Sequence, residues 1–336
     1  MRNKLQAIAD EAGCSVPTVS RALRGQRVAA ANRERIIAAM QRLHFGEFVQ
    51  YRLGLILPDS RNPYFSELAF AFETELERHD AQLFVTSAEN QLEREIKLVS
   101  RFLSMQVDGL IYIPTAYGSD DLLNLVVQGK LPMLVFDRSV RVGNFDFVTV
   151  DSRIATARAI EYLIAFGHKR IGCVKGLQET HSAKERFRSY TDAMRANGLS
   201  PKDSWIIDGD FTILAGVKAA EKIIAMGETN RPTAILTAND LIAIGLMKRL
   251  HQEGWRLPEQ MSIIGFDNIE WSEWTHPALT TIAQPVKELV RSASQILLER
   301  IAACKAKDDQ LLLPSTYAVE PTLLTRNSVS QPFVRS

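Results

Sequence analysis

LQAIADEAGCSVPTVSRALR, residues 5–24, decides how this 336-residue chain is read. Leu5, Ile8, Ala9 and Ala12 recur at helical spacing and give one short helix a single apolar face. Gly13 breaks that helix, Ser15 is a good N-cap for a second, and Pro17 is tolerated in a first turn. Val19, Ala22 and Leu23 form the second helix's expected buried side. Two short helices joined by a tight Gly-containing turn make a helix-turn-helix, whose second helix can enter the major groove of DNA. The face left outward carries Val16, Pro17, Thr18, Ser20, Arg21 and Arg24. Arg21 is the natural base reader, because its fork can donate two bonds to guanine. Thr18 and Ser20 suit phosphate oxygens, whereas Val16 and Pro17 offer only apolar contact.

Working outward, the next segment predicts a third helix over residues 31–44, with Ile36, Ile37, Met40 and Leu43 inward. Ala29 and Ala30 precede it with no side-chain acceptor, and a missing cap costs about 1 kcal/mol. Residues 1–50 hold eight Lys/Arg against four Asp/Glu, leaving 32 against 35 for the remainder. A small basic head on a mildly acidic body fits a polyanionic partner. Cys14, Cys173 and Cys304 are isolated, without metal spacing, and no apolar run approaches the roughly 18 residues of a membrane span. The expectation is a cytoplasmic protein with no membrane contact, no metal and no cofactor.

From Leu53 the texture changes to short apolar runs alternating with amphipathic helices: 53–57, 83–86, 109–113, 132–136 and 147–150. After a helix near 153–166 a second series follows at 170–174, 205–207, 233–237 and 261–266. Continuous apolar strands, each followed by a helix, predict parallel sheets covered on both faces. Two such series predict two doubly wound lobes, with a ligand cleft lined by loops at the strands' carboxyl ends. Those loops are polar: residues 59–65 (DSRNPYF), Asp137-Arg138, residues 180–183, Asp210-Phe211, Asn239-Asp240, Asp267-Asn268 and Gln284. Carboxylates, amides and guanidinium groups beside aromatic rings suit a polyhydroxylated sugar. Any one of them could equally be a turn or cap residue, Asp59 and Asn268 above all.

With those residues in hand, the chain resembles the LacI/GalR family of transcriptional regulators, and ribose repressors within it. The carriers are AIADEAGCSVPTVSRALRG (7–25), NPYFSEL (62–68), VDGLIYIP (107–114), VFDRS (135–139), GHKRIGCVKG (167–176), SAKERFRSY (182–190), GDF (209–211), TANDLIAIG (237–245), LPEQMSIIGFDNIE (257–270) and PALTTIAQP (277–285), all in family order. The resemblance implies an α/β protein: an all-α helix-turn-helix headpiece on a two-lobed, periplasmic-binding-protein-like core. It implies a homodimer on double-stranded operator DNA and a small effector, usually a sugar or nucleoside; with no Lys/Arg cluster suited to a phosphate beyond Arg138 and Arg186, a neutral pentose or hexose is expected here. Its pocket maps onto Asn62, Tyr64, Phe65, Asp137, Arg138, Arg186, Phe211, Asn239, Asp267 and Gln284, and its DNA readers onto Val16, Pro17, Thr18 and Arg21.

Two departures stand out. The family has a longer segment before the first strand, with a Pro-Asn start and a helix that wedges into the minor groove. Here Phe45 is followed by GEFVQYR and then Leu53, with no room for such a helix. Seven extended residues span at most about 25 Å, enough only for a tether. Ala29 also replaces the usual capping Ser. The domain expectations are a head at 1–45, a linker at 46–52, a core at 53–327 and a tail at 328–336. Lobe 1 takes 53–152 and 286–313, and lobe 2 takes 153–285 and 314–327. The tail has no leucine heptads, so a dimer is expected rather than a coiled-coil tetramer. The rival readings are a sugar sensor with a degenerate head, and an α/β enzyme. The second lacks GxGxxG, GxxxxGK, GxSxG and HExxH, and His181 beside Ser182 is its only nucleophile-like pair, so no catalytic residue is assigned.

Overall fold

Helix α1 (Arg2–Ala12) stops where Gly13 takes a left-handed φ of 60°, letting the Cys14 amide reach back to the Ala9 carbonyl at 2.9 Å. Helix α2 (Val16–Leu23) starts at Ser15, whose Oγ accepts from the Thr18 amide at 3.3 Å. Helix α3 (Ala30–Arg42) begins one residue earlier than the apolar pattern indicates, and the Ala29 carbonyl accepts from the Asn32 and Arg33 amides. The computed structural model describes residues 2–23, 26–43, 51–116, 120–140, 145–306 and 313–332. Ile8, Ala9, Ala12, Val19, Ala22, Ile36, Ala39 and Met40 form the head's core. Two expectations are corrected. Leu23 is 38% exposed, and Val16 packs against the core instead of facing outward.

Lobe 1 is built from β1 (Tyr51–Leu57), α4 (Pro63–Glu77), β2 (Ala81–Ser87), α5 (Leu92–Met105), β3 (Gly109–Tyr112), α6 (Asp120–Gln128), β4 (Met133–Phe136) and β5 (Asp146–Val150). Lobe 2 runs α7 (Ser152–Ala165), β6 (Ile171–Val174), α8 (His181–Ala196), β7 (Ile206–Ile207), α9 (Ile213–Ala225), α10 (Gly227–Asn230), β8 (Ala234–Thr237), α11 (Asp240–Gln252), β9 (Ser262–Asp267), α12 (Trp271–Trp274) and β10 (Thr280–Ala283). The chain then returns to lobe 1 as α13 (Val286–Ala306) and β11 (Thr316–Val319), and ends in lobe 2 with β12 (Thr322–Leu324). The sheet orders are β11-β5-β4-β3-β1-β2 and β12-β10-β9-β8-β6-β7. Every described pairing is parallel except β10 with β12.

The period-2 geometry of strands distributes the apolar runs. Leu53, Leu55 and Leu57 face α4 and α13, while Ile56 faces α5 and α6. A Cβ at Gly54 would lie 3.0 Å from the Phe102 ring, so the missing side chain is what lets α5 seat there. In lobe 2, Ile263 faces α9 and α11, and Ile264 and Phe266 face α7 and α8. Each fully buried Leu, Ile or Phe contributes about 1.5–3 kcal/mol. Gly216 and Gly245 let α9 and α11 cross so closely that a Cβ on either would collide with a backbone carbonyl of the other helix.

Three domain boundaries shift. Tyr51 and Arg52 belong to β1, not to a linker, because Arg52 is tied to Asp108 through its amide (2.8 Å) and its carbonyl (2.7 Å). The expectation that residues 46–52 hold no hinge helix falls, for 46–50, outside the described residues. Residues 316–319 lie in lobe 1's sheet, beside β5, where Ser315 and Arg300 hold the buried Asp146 carboxylate. Residues 328–330 are no tail. Ser328 bridges Ile263 and Thr280, Val329 enters the lobe 2 core, and the Ser330 carbonyl meets the buried His168 ring at 2.8 Å. Three segments therefore cross between the lobes: 150–152, 284–285 and 320–321.

Candidate functional site

The strand ends of the two sheets face each other across these crossings, as expected for doubly wound sheets. A narrow cavity there, with only about 10 Å³ of free room in this structure, is lined by Asn62, Tyr64, Phe65, Asp137, Arg138, Ser182, Arg186, Phe211, Asn239 and Asp267. Nine of the ten pocket residues named from the resemblance are in that lining. The tenth, Gln284, sits in a crossing segment directly behind it. Its Oε1 accepts from the Tyr64 hydroxyl at 2.9 Å and its Nε2 donates to Asp267 Oδ1 at 2.7 Å. A larger hollow elsewhere in lobe 1 is lined by Leu103, Gln106, Asp108, Lys130, Ile301 and Lys305 among others, and Asp108 and Lys305 are paired with each other at 2.8 Å.

Each side chain is placed by local backbone. Asn62 caps α4, accepting from the Tyr64 amide at 3.1 Å, and so aims Tyr64 and Phe65 from the helix's first turn. Asp137 follows β4 with φ 61°, its amide bonded to Val148, which turns its carboxylate away from the strand. Arg138 Nη1 donates to the Pro114 and Thr115 carbonyls at 3.1 and 3.0 Å. Its guanidinium lies 5.4 Å from both the Phe65 and the Phe211 rings, one from each lobe. Phe211 has φ 68°, and its ring occupies the space a Cβ on Gly176 would take. Asn239 caps α11 and donates to the Phe211 carbonyl at 3.1 Å. Arg186, on α8, donates to the Ala238 carbonyl at 2.6 Å, stands 3.3 Å from Asp267 Oδ1 and covers the Phe266 ring at 3.7 Å.

Two carboxylates and two guanidiniums thus share one buried space, and their formal charges cancel. Burial is the main force on the protonation of two of them, Asp267 and Arg138. It pushes Asp267 up to about 6, helped by the Asp137 charge and opposed by Arg186 and Gln284. It pulls Arg138 below the usual arginine value, opposed by Asp137. It raises Tyr64 well above an ordinary phenol, with Asp137 and Asp267 adding to the effect, so the hydroxyl stays a neutral donor. Asp240 lies behind the site, its oxygens accepting from Thr281 Oγ1 (2.6 Å) and the Ile269 amide (2.9 Å), and burial followed by the Asp267 charge pushes it up to about 8. Among the described residues, three buried atoms of the cavity have no hydrogen-bond partner: Asp137 Oδ1, Arg138 Nε and Arg186 Nε. Arg138 Nε faces Asp137 Oδ2 at 3.6 Å, an ion pair without a hydrogen bond.

Two other polar loop residues are engaged by arginine side chains. Asp59 is occupied by Arg61, which holds its carboxyl below the usual range, and Asn268 accepts from Arg326. The reading of residues missed Ser182, a member of a loop it singled out but not of the pocket it named. It also missed Glu95 and Thr115, which no local signal connects to Arg138. In the head, Pro17 and Arg21 are exposed, and Thr18 and Ser20 are half-buried. Arg21 Nε donates to the Pro17 carbonyl at 3.4 Å. Arg24 lies outside the described residues. Among the described residues no cluster of three metal-ligating side chains occurs, and no helix is long and apolar enough to cross a membrane.

Two family models match the chain: bacterial regulatory proteins of the lacI family over residues 4–46, and a periplasmic binding protein-like domain over residues 160–329. The HTH-type transcriptional repressor PurR of Aliivibrio fischeri (strain MJ11) is 31% identical over 335 residues, covering 97% of this chain and 98% of that protein. Among solved structures, the lac repressor dimer bound to operator and the anti-inducer ONPF superposes with a TM-score of 0.76 at 24% identity, over 96% of this chain and 98% of that one. A LacI family regulator from Enterococcus faecium with bound ribose superposes at 0.73 and 25% identity, over 83% and 99%. A DNA-binding module joined to a ligand-binding core, at this identity across nearly the whole length, makes the chain a member of the LacI family and a transcriptional repressor, not an enzyme.

Proposed function

We propose that this repressor senses a neutral pentose or hexose, ribose first among them, held between its lobes. The observation that carries the reading is the charge-balanced cavity with its leftover atoms. Asp137 Oδ1 calls for a donor, while Arg138 Nε and Arg186 Nε call for acceptors. A sugar hydroxyl is both, and Tyr64, Phe65 and Phe211 can cover the apolar C–H faces of the ring. An anionic phosphosugar would set its phosphate against Asp137 and Asp267. The ribose-bound regulator from Enterococcus faecium supports the same choice. A thermal-shift panel of D-ribose, other pentoses, hexoses, ribose 5-phosphate and nucleosides tests it. Neutral sugars are expected to raise the melting temperature, by about 2.7 kcal/mol of stabilisation at a hundred times Kd. Stabilisation by phosphosugars or nucleosides alone would overturn the reading.

On the DNA side, the repressor acts in the cytoplasm as a homodimer on a pseudo-palindromic operator, its two α2 helices about one helical turn apart. Exposed apolar side chains on both lobes support the dimer: Phe70 at 70% exposure on lobe 1, and Leu214, Trp271 and Trp274 on lobe 2. The groove beside Phe70 carries Glu67, Glu75 and Glu288 with Arg78, Lys287 and Arg291, a mixture able to pair with its own copy across a two-fold axis. Val16, Pro17, Thr18, Ser20, Arg21 and Arg24 make up the proposed DNA-reading set, with Val16 contributing from a partly covered position. Arg21→Ala is expected to weaken specific binding by about 1–3 kcal/mol in a gel shift against genomic fragments. A wild-type protein forming no specific complex would favour a sensor with a degenerate head. Sugar binding closes the lobes and changes head spacing through a coupling of about 1–3 kcal/mol.

A further inference from the structure

We propose that Glu95, on the outer helix α5 and outside the cavity lining, is a positioning residue for effector binding: its carboxylate sets the 114–115 loop that seats Arg138. The proposal rests on the cleft being the effector site. Glu95 is wholly buried, which is unusual for a carboxylate unless the protein supplies partners. Its Oε2 accepts from the Tyr112 hydroxyl and its Oε1 from the Thr115 amide, both at 2.7 Å, and the Thr115 side chain hydrogen-bonds to it as well. Tyr112 is the last residue of β3, and Thr115 stands three residues on, in the loop leaving that strand.

The loop so anchored presents two consecutive carbonyls, Pro114 and Thr115, to a single nitrogen, Arg138 Nη1. That grip leaves Arg138 Nε in the cavity and its plane between Phe65 and Phe211. A carbonyl pair points at one nitrogen only if the peptide between them is held, and the Thr115 amide belongs to that peptide. Glu95 fixes it directly. The negative charge of Glu95 also acts on Arg138 through the interior, in the direction that keeps the guanidinium charged. Sequence spacing gives no hint of this: Glu95 reads as one more polar position in the first turn of an amphipathic helix. The helix buries it because Leu98, Val99 and Phe102, on the same face, dock on the sheet.

The test uses the full-length protein with arginine-selective nitrogen-15 labelling, the Arg138 signals being assigned by their loss in Arg138→Lys. Glu95→Ala is expected to abolish the exchange protection of the Arg138 Nη1 protons and to weaken D-ribose binding at least tenfold by calorimetry. Glu95→Gln should restore both to within about threefold, since its amide oxygen can accept from Thr115 and its amide nitrogen can donate to Tyr112. Tyr112→Phe removes a partner of Glu95 but not the Thr115 bond, and is expected to leave the Arg138 signals and affinity unchanged. Should Glu95→Ala fail to fold, Glu95→Asp keeps the charge but retracts the carboxylate by one carbon, and is expected to reproduce the loss of Arg138 protection. Unchanged Arg138 signals in a folded Glu95→Ala or Glu95→Asp protein would overturn the proposal. If D-ribose fails to bind the wild-type protein, the sugar reading fails instead, and the Arg138 signals still decide the role of Glu95.

Discussion

Arg138→Ala is expected to abolish measurable sugar binding and to lower the stability of the core by about 3–5 kcal/mol, because it breaks a buried ion pair from one side. Arg138 is 5% exposed and Asp137 beside it is 4% exposed, so the carboxylate left behind cannot turn to water. Two carbonyls lose their donor, and the Phe65 and Phe211 rings lose the cation between them. Those rings come from different lobes, so closure of the cleft weakens together with recognition. Urea unfolding followed by tryptophan fluorescence and calorimetric titration with D-ribose measure the two effects. Removing both partners in Asp137→Ala/Arg138→Ala should recover part of the stability but none of the binding, since deleting a buried pair costs less than orphaning one member. A single Arg138→Ala protein as stable as wild type would show that the cavity is wetter than this structure indicates.

Asp240→Asn is expected to stabilise the protein in alkaline solution. Asp240 is pushed from its ordinary 3.8 up to about 8, by burial first and the neighbouring Asp267 charge second. Between those values the folded state holds a proton that the unfolded chain has released, so stability falls as pH rises through the window. Asp267, pushed up to about 6, adds a fall of the same sign between about 4 and 6. Asn mimics the neutral carboxyl, accepting from the Ile269 amide and donating to the Thr281 hydroxyl. Wild-type stability from urea melts should therefore decline between pH 4 and 8. The variant should decline only over the lower part of that range and be more stable than wild type by roughly 2–5 kcal/mol at pH 9. A variant less stable than wild type at pH 9 would mean that the ionised carboxylate is the form the fold favours.

Local signals carried the head and most of the strands. Gly13, Ser15 and the apolar spacing through Ala22 announce α1, the turn and α2, because a helix end depends on residues within a turn of itself. The facing of Val16 and Leu23 was not legible: seven residues apart, they lie within about 20° of one side of the helix, and which end of that side is covered depends on packing between helices. Strands β10, β11 and β12 were missed for a related reason. TTIA, TYAV and TLL are short and threonine-rich, and become strands by pairing with β9, β5 and β10 respectively.

The pocket shows the same division more finely. Its residue types could be read from the loops and the resemblance, down to Asp137 and Arg138 standing together. Which of their atoms remain for a ligand could not. Asn62 and Asn239 spend their side-chain oxygens on helix caps, and Tyr64 spends its hydroxyl on Gln284, 220 residues away in the chain. By itself, then, the order of residues determined the helix-turn-helix, the two doubly wound series and the chemical inventory of the cleft, since all three follow from periodicity and from residues close along the chain. Only the tertiary structure decided which lobe takes residues 316–319, how residues 328–330 lock into lobe 2, and that a buried glutamate on an outer helix seats the arginine of the cleft. Those outcomes are hydrogen bonds and packing between residues far apart in the chain, which no short-range pattern encodes.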